Sequence, residues 1–572
     1  MAGKRKKGTT VKDVINFNTN GCADEILHPL PTCSYTAPGI RELARLISKC
    51  KDCHFLIITD FDPDGECAGA QMKLLFDATG ITDYEVVVCS RSDGYGPRIK
   101  HLDKLMPGKK NVVLELDMGI RAFDFADAAK EKGAMIVVVD HHLPDPQKLP
   151  KADLIVDPYL EQKLETRGKY IYKDYCAAGL VCKLAQEMLP INDEALFRIQ
   201  AIACIATITD VVPLTGDNRN IFRDGVRCIR KGHMTQGLKA LVDDLESGWI
   251  VDESDIGFKI GPMLNAPGRL YPKGGKLSYL LLCSMDREKS KRLVLVLKEA
   301  NEKRKLLKSQ ALERAEKTIQ RNHLEKANPL FILDPLLETG IAGLVAGALA
   351  EKYQVTVIAC SVTGDGLIRG SARAFGEVHL LETLLLCEKR HPGIFAAYGG
   401  HKKAAGITLN PGKEDLFVEE MERILGPKKV MKSGLSCDLE IREADIPKTL
   451  QELLRYAPFG EGNPKILFHI PDFRLSPKNG KFHTEGKGDY IRFFGNNCVS
   501  AVSFEKEIKE KFLLSEVRQM TITGYLSEDH FRGDRKPQIE IIDFAPVEKK
   551  PYTSPLLDSI SGILGDGIRL EC

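Results

Sequence analysis

Asp60-Phe61-Asp62-Pro63-Asp64-Gly65 sets three carboxylates directly after the apolar, β-branched run Phe55-Leu56-Ile57-Ile58-Thr59. Such a run reads as a buried strand of a parallel sheet, and Glu66 to Gly80 reads as a helix. The carboxylates therefore crowd a turn between strand and helix. Like charges so close repel unless a cation sits among them. The helix start beside them favours an anion such as phosphate. The plainer alternative is an Asp-rich loop with a helix cap.

The arrangement recurs twice. Val112-Val113-Leu114-Glu115-Leu116 is a second strand, closed by Asp117-Met118-Gly119. Met135-Ile136-Val137-Val138-Val139 is a third, closed by Asp140-His141-His142. Ligands of open α/β sheets bind along the carboxyl edge of the strands, so three such strand ends point to one site. Imidazole nitrogen together with carboxylate oxygen suits divalent manganese or a similar ion.

These motifs, Asp-x-Asp-x-Asp-Gly, Asp-x-Gly and Asp-His-His, resemble those of the DHH phosphoesterase superfamily, and within it the bacterial RecJ single-strand-specific DNA exonucleases. Further segments follow in the RecJ order. Arg91-Ser92-Asp93-Gly94-Tyr95-Gly96 leaves the strand Val86 to Cys89 and is similar to the family's Arg followed by Gly-Tyr-Gly. Thr207-Ile208-Thr209-Asp210-Val211-Val212-Pro213-Leu214 follows an apolar helix, Phe197 to Thr209, and resembles the fourth metal-binding motif. Gly261-Pro262-Met263-Leu264-Asn265-Ala266-Pro267-Gly268-Arg269 is similar to Pro-Arg-Leu-Asn-Ala-Ala-Gly-Arg. Met263 replaces the first arginine there, while Asn265 and Arg269 match. Ile368-Arg369-Gly370-Ser371-Ala372-Arg373 and Tyr398-Gly399-Gly400-His401 resemble the Gly-Ser-x-Arg and Gly-Gly-His of the DHHA1 domain. Ala457-Pro458-Phe459-Gly460-Glu461-Gly462-Asn463-Pro464 resembles the signature ahead of the family's barrel strands. Some relatives carry His where this chain has Ile58, which leaves Asp60 to fill that slot or one metal to bind weakly.

Length and composition fit this reading. A chain of 572 residues exceeds a single core. Lys plus Arg number 81 against 79 Asp plus Glu, so a nucleic-acid binder of this balance must concentrate its positive charge in a groove. No apolar run reaches the roughly 18 residues that span a bilayer. The basic start, Met1 to Lys7, lacks the apolar core of a secretory signal and reads as a solvated tail. Cysteines in apolar surroundings, such as Cys89, Cys182, Cys204 and Cys360, suit reduced thiols in the cytoplasm. Cys50-Lys51-Asp52-Cys53 has no second pair at zinc-site spacing.

The fold class expected is α/β. Strands alternate with helices from about Ile40 to Ser284, giving a parallel, helix-covered sheet. Ser290 to His323 has neither Gly nor Pro, and Leu293, Leu297, Ala300, Leu307, Ala311, Ala315 and Ile319 recur at helical spacing. That predicts a linker helix of about 50 Å. A smaller α/β unit follows from Pro329 to Gly426. From Val430 the strand-like runs are short, which suggests a small β-barrel. The resemblance makes it an OB-fold that grips single strands. The expected division is an N-terminal tail over 1–39, a DHH domain over 40–287, the linker helix over 288–325, a DHHA1 domain over 326–429, an OB-fold domain over 430–546 and a C-terminal tail over 547–572.

The resemblance implies a metal-dependent exonuclease that hydrolyses single-stranded DNA, 5′ to 3′, in DNA repair and recombination. It implies two divalent ions, Mn2+ or Mg2+, held by Asp60, Asp62, Asp64, Asp117, His141 and Asp210, with Asp117 bridging. Ions about 3.5–4 Å apart activate a shared water and brace an in-line displacement at phosphorus. Asp140, His142 and His401 are the implied catalytic residues. Arg91, Asn265, Arg269, Ser371, Arg373, Gly399, Gly400 and His401 are the implied phosphate holders, since Arg pairs bidentately with phosphate. On the barrel, Arg492, Phe493 and Phe494 are expected to touch nucleic acid. The expected partners are single-stranded DNA and a single-strand-binding protein or helicase, with the chain a monomer. Two other readings stand beside this one. A DHH phosphodiesterase for cyclic dinucleotides or short oligonucleotides usually lacks the barrel. An inactive replication-complex scaffold would not need intact Asp62, Asp64, Asp117, His141 and Asp210.

Overall fold

The computed structural model describes residues 9–91, 94–160, 169–245, 249–428, 437–478, 481–482, 484–485, 490–495, 499–513, 519–529 and 535–547. The basic start, the C-terminal tail from 548, and Ser92 and Asp93 of the glycine-rich loop lie outside them. The chain divides into two units, one of residues 28–434 with 460–462, the other of residues 1–27 with 435–459 and 463–572.

The larger unit is built on a five-stranded parallel sheet. Its strands are β1 (His54–Thr59), β2 (Tyr84–Val88), β3 (Asn111–Leu116), β4 (Met135–Val139) and β5 (Leu154–Val156), in the order β2-β1-β3-β4-β5. Alternate side chains of one strand enter separate cores. Phe55, Ile57, Leu114, Val137 and Val139 face one, and Leu56, Ile58, Val113, Ile136 and Val138 face the other. A sheet covered on both faces needs such unbroken apolar strands. Glu115 is the exception, a carboxyl with no exposed surface inside β3.

The register sets the site. Thr59 stands beside Leu116, and Leu116 beside Val139. Asp60, Asp117 and Asp140 therefore leave three adjacent strands at one level. The strand order reverses between β1 and β3, which is where doubly wound sheets leave a crevice. The helices that bring in further site residues are α1 (Pro63–Thr79), α2 (Ala177–Met188), α3 (Glu194–Thr209) and α4 (Gly261–Leu270).

Helix α5 (Arg287–Arg321) runs 35 residues, about 52 Å at 1.5 Å per residue. Val294 and Leu297 bury in the core of the parallel sheet, and Ala311, Ala315 and Ile319 in that of the next sheet. That sheet holds β6 (Leu330–Leu333), β7 (Val357–Val362), β8 (Ile368–Arg373), β9 (Phe395–Gly400) and β10 (Ala404–Leu409), in the order β9-β10-β8-β7-β6. Only β6 and β7 run parallel. Helix α6 (Ala342–Tyr353) packs on β7 and β8.

The smaller unit contains one seven-stranded sheet of mixed direction. Its strands are β11 (Leu439–Glu440), β12 (Phe468–Arg474), β13 (Thr484–Glu485), β14 (Ile491–Phe494), β15 (Ser500–Ser503), β16 (Gln519–Asp529) and β17 (Lys536–Pro546), ordered β11-β12-β16-β17-β15-β14-β13. Among the described residues, no helix is long and apolar enough to cross a membrane.

The expected tail over 1–39 needs correction. Val11–Asn18 and Ala23–Leu27 are helices, and Val11, Val14, Ile15, Ala23 and Ile26 join the core of the seven-stranded sheet. A capping box starts the first helix. Asp13 N donates to Thr10 Oγ1 at 3.2 Å, and the Asp13 carboxylate accepts from Thr10 N at 3.1 Å. The basic residues ahead of this short amphipathic stretch hid its period. Ile15 has no exposed surface. Replacing it by Ala should cost about 2–5 kcal/mol of stability in this unit, read as a lower denaturant midpoint. An unchanged midpoint would return the segment to a tail.

Candidate metal centre and phosphate pocket

Asp62 caps α1 by accepting from Asp64 N at 3.1 Å and Gly65 N at 3.2 Å. The helix cap and the acidic cluster are thus one structure. Asp64 is buried and accepts from Ala177 N at 2.7 Å and Ala178 N at 2.9 Å, where α2 begins. Asp117 has φ of 62°, a left-handed conformation uncommon outside glycine. Asp210 ends α3, and Val211 after it is left-handed at 58°.

Donor atoms of three sets lie within 4.8 Å of one another: Asp60, Asp62 and Asp117; Asp64, His141 and Asp210; and Asp117, His141 and His142. His141 Nε2 stands 3.2 Å from Asp117, 3.6 Å from Asp210 and 3.7 Å from Asp64. Neither this nitrogen nor Asp117 Oδ1 makes a hydrogen bond, although both are buried. Orphaned donors and acceptors packed this closely fit divalent ions. Burial, then the charge of Asp62, pushes the Asp60 carboxyl up to about 8. Burial and neighbouring carboxylates also raise Asp64, Asp117 and Asp210. Ile58, at the position where some relatives carry His, is fully buried in the sheet core, and Asp60 lies in the first donor set.

Asp140 organises the rim. Its carboxylate accepts from Ile120 N at 3.1 Å, His141 N at 2.8 Å and His142 N at 3.2 Å, and lies 2.7 Å from His142 Nδ1. Burial alone would raise Asp140, but these bonds and both imidazoles hold it below the usual range. Burial alone would lower His142, but the Asp140 bond and nearby carboxylates raise it. The Tyr95 hydroxyl lies 3.1 Å from His142 Nδ1 and donates to the Asp117 carbonyl at 3.3 Å. His401, at the end of β9, holds its ring nearly parallel to His142, with 6.0 Å between centroids.

Guanidinium groups gather nearby. Arg91 lies over the Phe61 ring at 4.4 Å. Burial, then the charges of Arg91, Arg373 and Arg304, brings Arg269 down to about 9. Arg373 donates to Ser371 Oγ at 2.7 Å. A Cβ on Gly343 would meet Arg373 Nη2 at 2.5 Å and Ser371 Oγ at 3.1 Å, and one on Gly340 would strike the Arg269 carbonyl. The first turn of α6 therefore lies directly over these side chains, and a helix start beside several cations is an anion site. Ser371 and Gly399 both stand opposite Gly406, from β8 and β9 on either side of β10. Gly400 at the strand end turns the chain toward His401. Asn265 on α4 keeps a buried oxygen without a partner. Met263, in the arginine slot, is core.

The structure thus brings together Asp60, Asp62, Asp64, Asp117, Asp140, His141, His142 and Asp210 at one sheet edge, with His401 stacked alongside. On the smaller unit one expectation fails. Phe493 has no exposed surface and packs against Phe512 at 4.1 Å, because alternate positions of β14 face the core. Arg492 is ion-paired to Asp529 and lies over the Phe494 ring at 5.1 Å. Three neighbours went unread in the sequence. Glu66 is fully buried beside Asp60, Asp62 and Arg91, and Arg304 comes from α5. Tyr95 lies in the loop after β2, where its sequence neighbours give it no role. For Glu66 the signal was a fourth acid in the first helical turn; for Arg304 there was none.

Family models match as the DHH family N-terminal domain over residues 54–208, the DHHA1 domain over 329–426 and the RecJ OB domain over 437–543. The single-stranded-DNA-specific exonuclease RecJ of Escherichia coli is 28% identical over 517 residues, covering 86% of this chain and 87% of that protein. The corresponding protein of Thermus thermophilus is 25% identical, covering 93% of this chain and 76% of its own length. The crystal structure of Thermus thermophilus RecJ in complex with Mn2+ superposes with a TM-score of 0.74 at 23% identity, covering 94% of this chain and 76% of that one.

A carboxyl raised on folding favours the folded state at low pH, and that contribution is lost as pH rises through the folded value. For Asp60 the window runs from about 4 to about 8. The metal-free protein should therefore lose stability across that window, while an ion bound only by the folded state restores it. Melting curves in chelator and in Mn2+, at pH 6 and pH 8, should show a wider gap at the higher pH. A gap that narrows would contradict carboxylate ligands in this state.

Proposed function

We infer, from a chain that belongs to the RecJ-type DHH phosphoesterases, a metal-dependent exonuclease that hydrolyses single-stranded DNA. The observation that carries this reading is the buried donor set around Asp117 and His141, placed beside a pocket of arginines. Asp60, Asp62, Asp64, Asp117, His141 and Asp210 would hold two divalent ions, manganese or magnesium. Such ions lower the pKa of a bound water and stabilise charge at phosphorus.

The protein's own groups do the rest. Asp140 fixes the His142 ring through Nδ1, which leaves Nε2 directed at substrate oxygens. Charge from Asp140 favours the protonated ring, suited to a phosphoryl oxygen or a leaving group. His401 faces the same space from the second sheet. Arg91, Arg269, Ser371, Arg373 and the start of α6 take the terminal phosphate, with Asn265, Gly399 and Gly400 beside them. A phosphate seated there fixes which end enters, and 5′ to 3′ digestion is the polarity proposed. The OB domain grips single-stranded DNA. Arg492, already paired with Asp529, and Phe494 are the half-buried candidates on β14 for that contact. The buried thiols Cys67, Cys182 and Cys204 suit a reducing cytoplasm. A single-strand-binding protein or helicase is the protein partner in view, with the chain itself monomeric.

Asp117→Ala should lower the rate on end-labelled single strands by at least about a thousandfold, because Asp117 belongs to two of the three donor sets. Full activity would remove the assignment. Arg373→Ala should impair 5′-phosphorylated strands at least about tenfold more than 5′-hydroxyl strands, by the loss of a bidentate charged contact. Equal losses would make Arg373 a general backbone contact.

A further inference from the structure

Two segments far apart in the chain present Asp64 and Asp210, which form one donor set with His141. One segment enters α2 through Tyr172, Asp174 and Tyr175, and its Ala177 and Ala178 amides hold the Asp64 carboxylate. The other leaves α3 through Asp210 and left-handed Val211, and reaches Pro213 and Thr215. Burial, then the charge of Asp64, raises Asp210. The two carboxylates repel, so the segments need a tie of their own before a cation arrives.

Asn218 supplies it. It lies in the helix Gly216–Arg230 and has no exposed surface. Its Nδ2 donates to the Asp174 carbonyl at 2.6 Å and to the Pro213 carbonyl at 3.1 Å, one on each segment. Both partners are acceptors, which fixes the way the amide points. Its Oδ1 is buried without a partner. Such an orphaned atom costs stability, which an apolar residue of the same shape would avoid. Tyr172 ties the same segments in the opposite direction, its hydroxyl donating to the Thr215 carbonyl at 2.9 Å. Its ring lies against Gly216, where φ is 49° and a Cβ would meet the ring at 2.5 Å. A third tie runs alongside, from the Tyr175 hydroxyl to Asp217 Oδ2 at 2.6 Å. The bonds of Asn218 and Tyr172 end on backbone carbonyls within five residues of Asp210 or of the amides that hold Asp64.

We propose that Asn218 and Tyr172 are positioning residues, a clasp that sets the separation of Asp64 from Asp210 and thereby the grip on the ion these two take with His141. This rests on the metal-dependent reading above. Groups that orient metal ligands from behind typically carry roughly 10- to 100-fold in metal affinity.

Mn2+ binding to the full-length, DNA-free protein tests this, read from the electron paramagnetic resonance of the unbound ion. Asn218→Leu keeps the shape and removes both donors; Tyr172→Phe removes one hydroxyl. Val226→Ala, on the same helix but within the core, is the control for lost stability alone. The wild type should bind two ions. Asn218→Leu should weaken one of them by roughly 10- to 100-fold and leave the other as it is. Tyr172→Phe should weaken the same ion, by less. The nuclease activity of Asn218→Leu should fall at limiting Mn2+ and recover in excess. Val226→Ala should lower the melting temperature with both affinities kept. Wild-type affinities in Asn218→Leu, or an equal loss in Val226→Ala, would overturn the clasp. If Asn218→Leu does not fold, wild-type affinities in Tyr172→Phe overturn it. A wild type that takes up no Mn2+ would sink the metal-dependent reading itself, and a clasp for the ion with it.

Discussion

Buried like charge is the constraint from which the rest of this structure follows. Asp60, Asp64 and Asp117 are almost wholly enclosed, and burial with mutual repulsion raises all three carboxyls. Two ionised groups about 4 Å apart repel by about 4 kcal/mol even at an effective dielectric of about 20. Only a stiff scaffold keeps several such groups converging. The parallel sheet is one, because each ligand-bearing turn leaves a strand covered on both faces, and the three turns are locked in register by the ladder. Left-handed Asp117 and Val211 show backbone conformations of the costlier kind concentrated at the same place.

The opposite charge is assembled by other means. Arg91, Arg269, Arg304 and Arg373 come from four separate elements, and the like charges of its neighbours help to lower Arg269. Close backbone approach by α6 and the turn before it, possible because Gly343 and Gly340 lack side chains, brings a helix start over the same spot. An acidic and a basic cluster thus face a common space, with Arg91 close to both: Asp62 and Asp60 favour its charged form against burial. A phosphodiester beside bound cations needs this division, since its anionic oxygens require positive neighbours while its nucleophile requires carboxylate-held metal.

Long α5 explains how two small cores make one site. Its first half buries Val294 and Leu297 against the parallel sheet and its second half buries Ala311, Ala315 and Ile319 against the mixed one. Ser371, Arg373 and His401 can then be placed relative to the metal ligands by packing rather than by a flexible linker. Arg304, midway along the same helix, joins the arginine cluster directly.

The sequence by itself determined the parallel sheet, the long helix, the small C-terminal β domain and the acidic edge. Each depends on local period or on residues adjacent in the chain: apolar runs, gaps without Gly or Pro, and acids immediately after strands. Tertiary structure alone decided which groups share an environment. Nothing near Arg304 in sequence announces Arg269, and nothing near Thr10 announces a sheet core more than four hundred residues later. Phe493 shows the same limit: an alternating strand states that half its side chains are buried, but which half depends on the sheet it joins. Tyr95 shows it at the site, where the motif places a tyrosine in a loop and only the fold brings its hydroxyl to Asp117 and His142. Periodicity is carried by the chain, whereas burial and charge proximity depend on contacts between segments far apart in it.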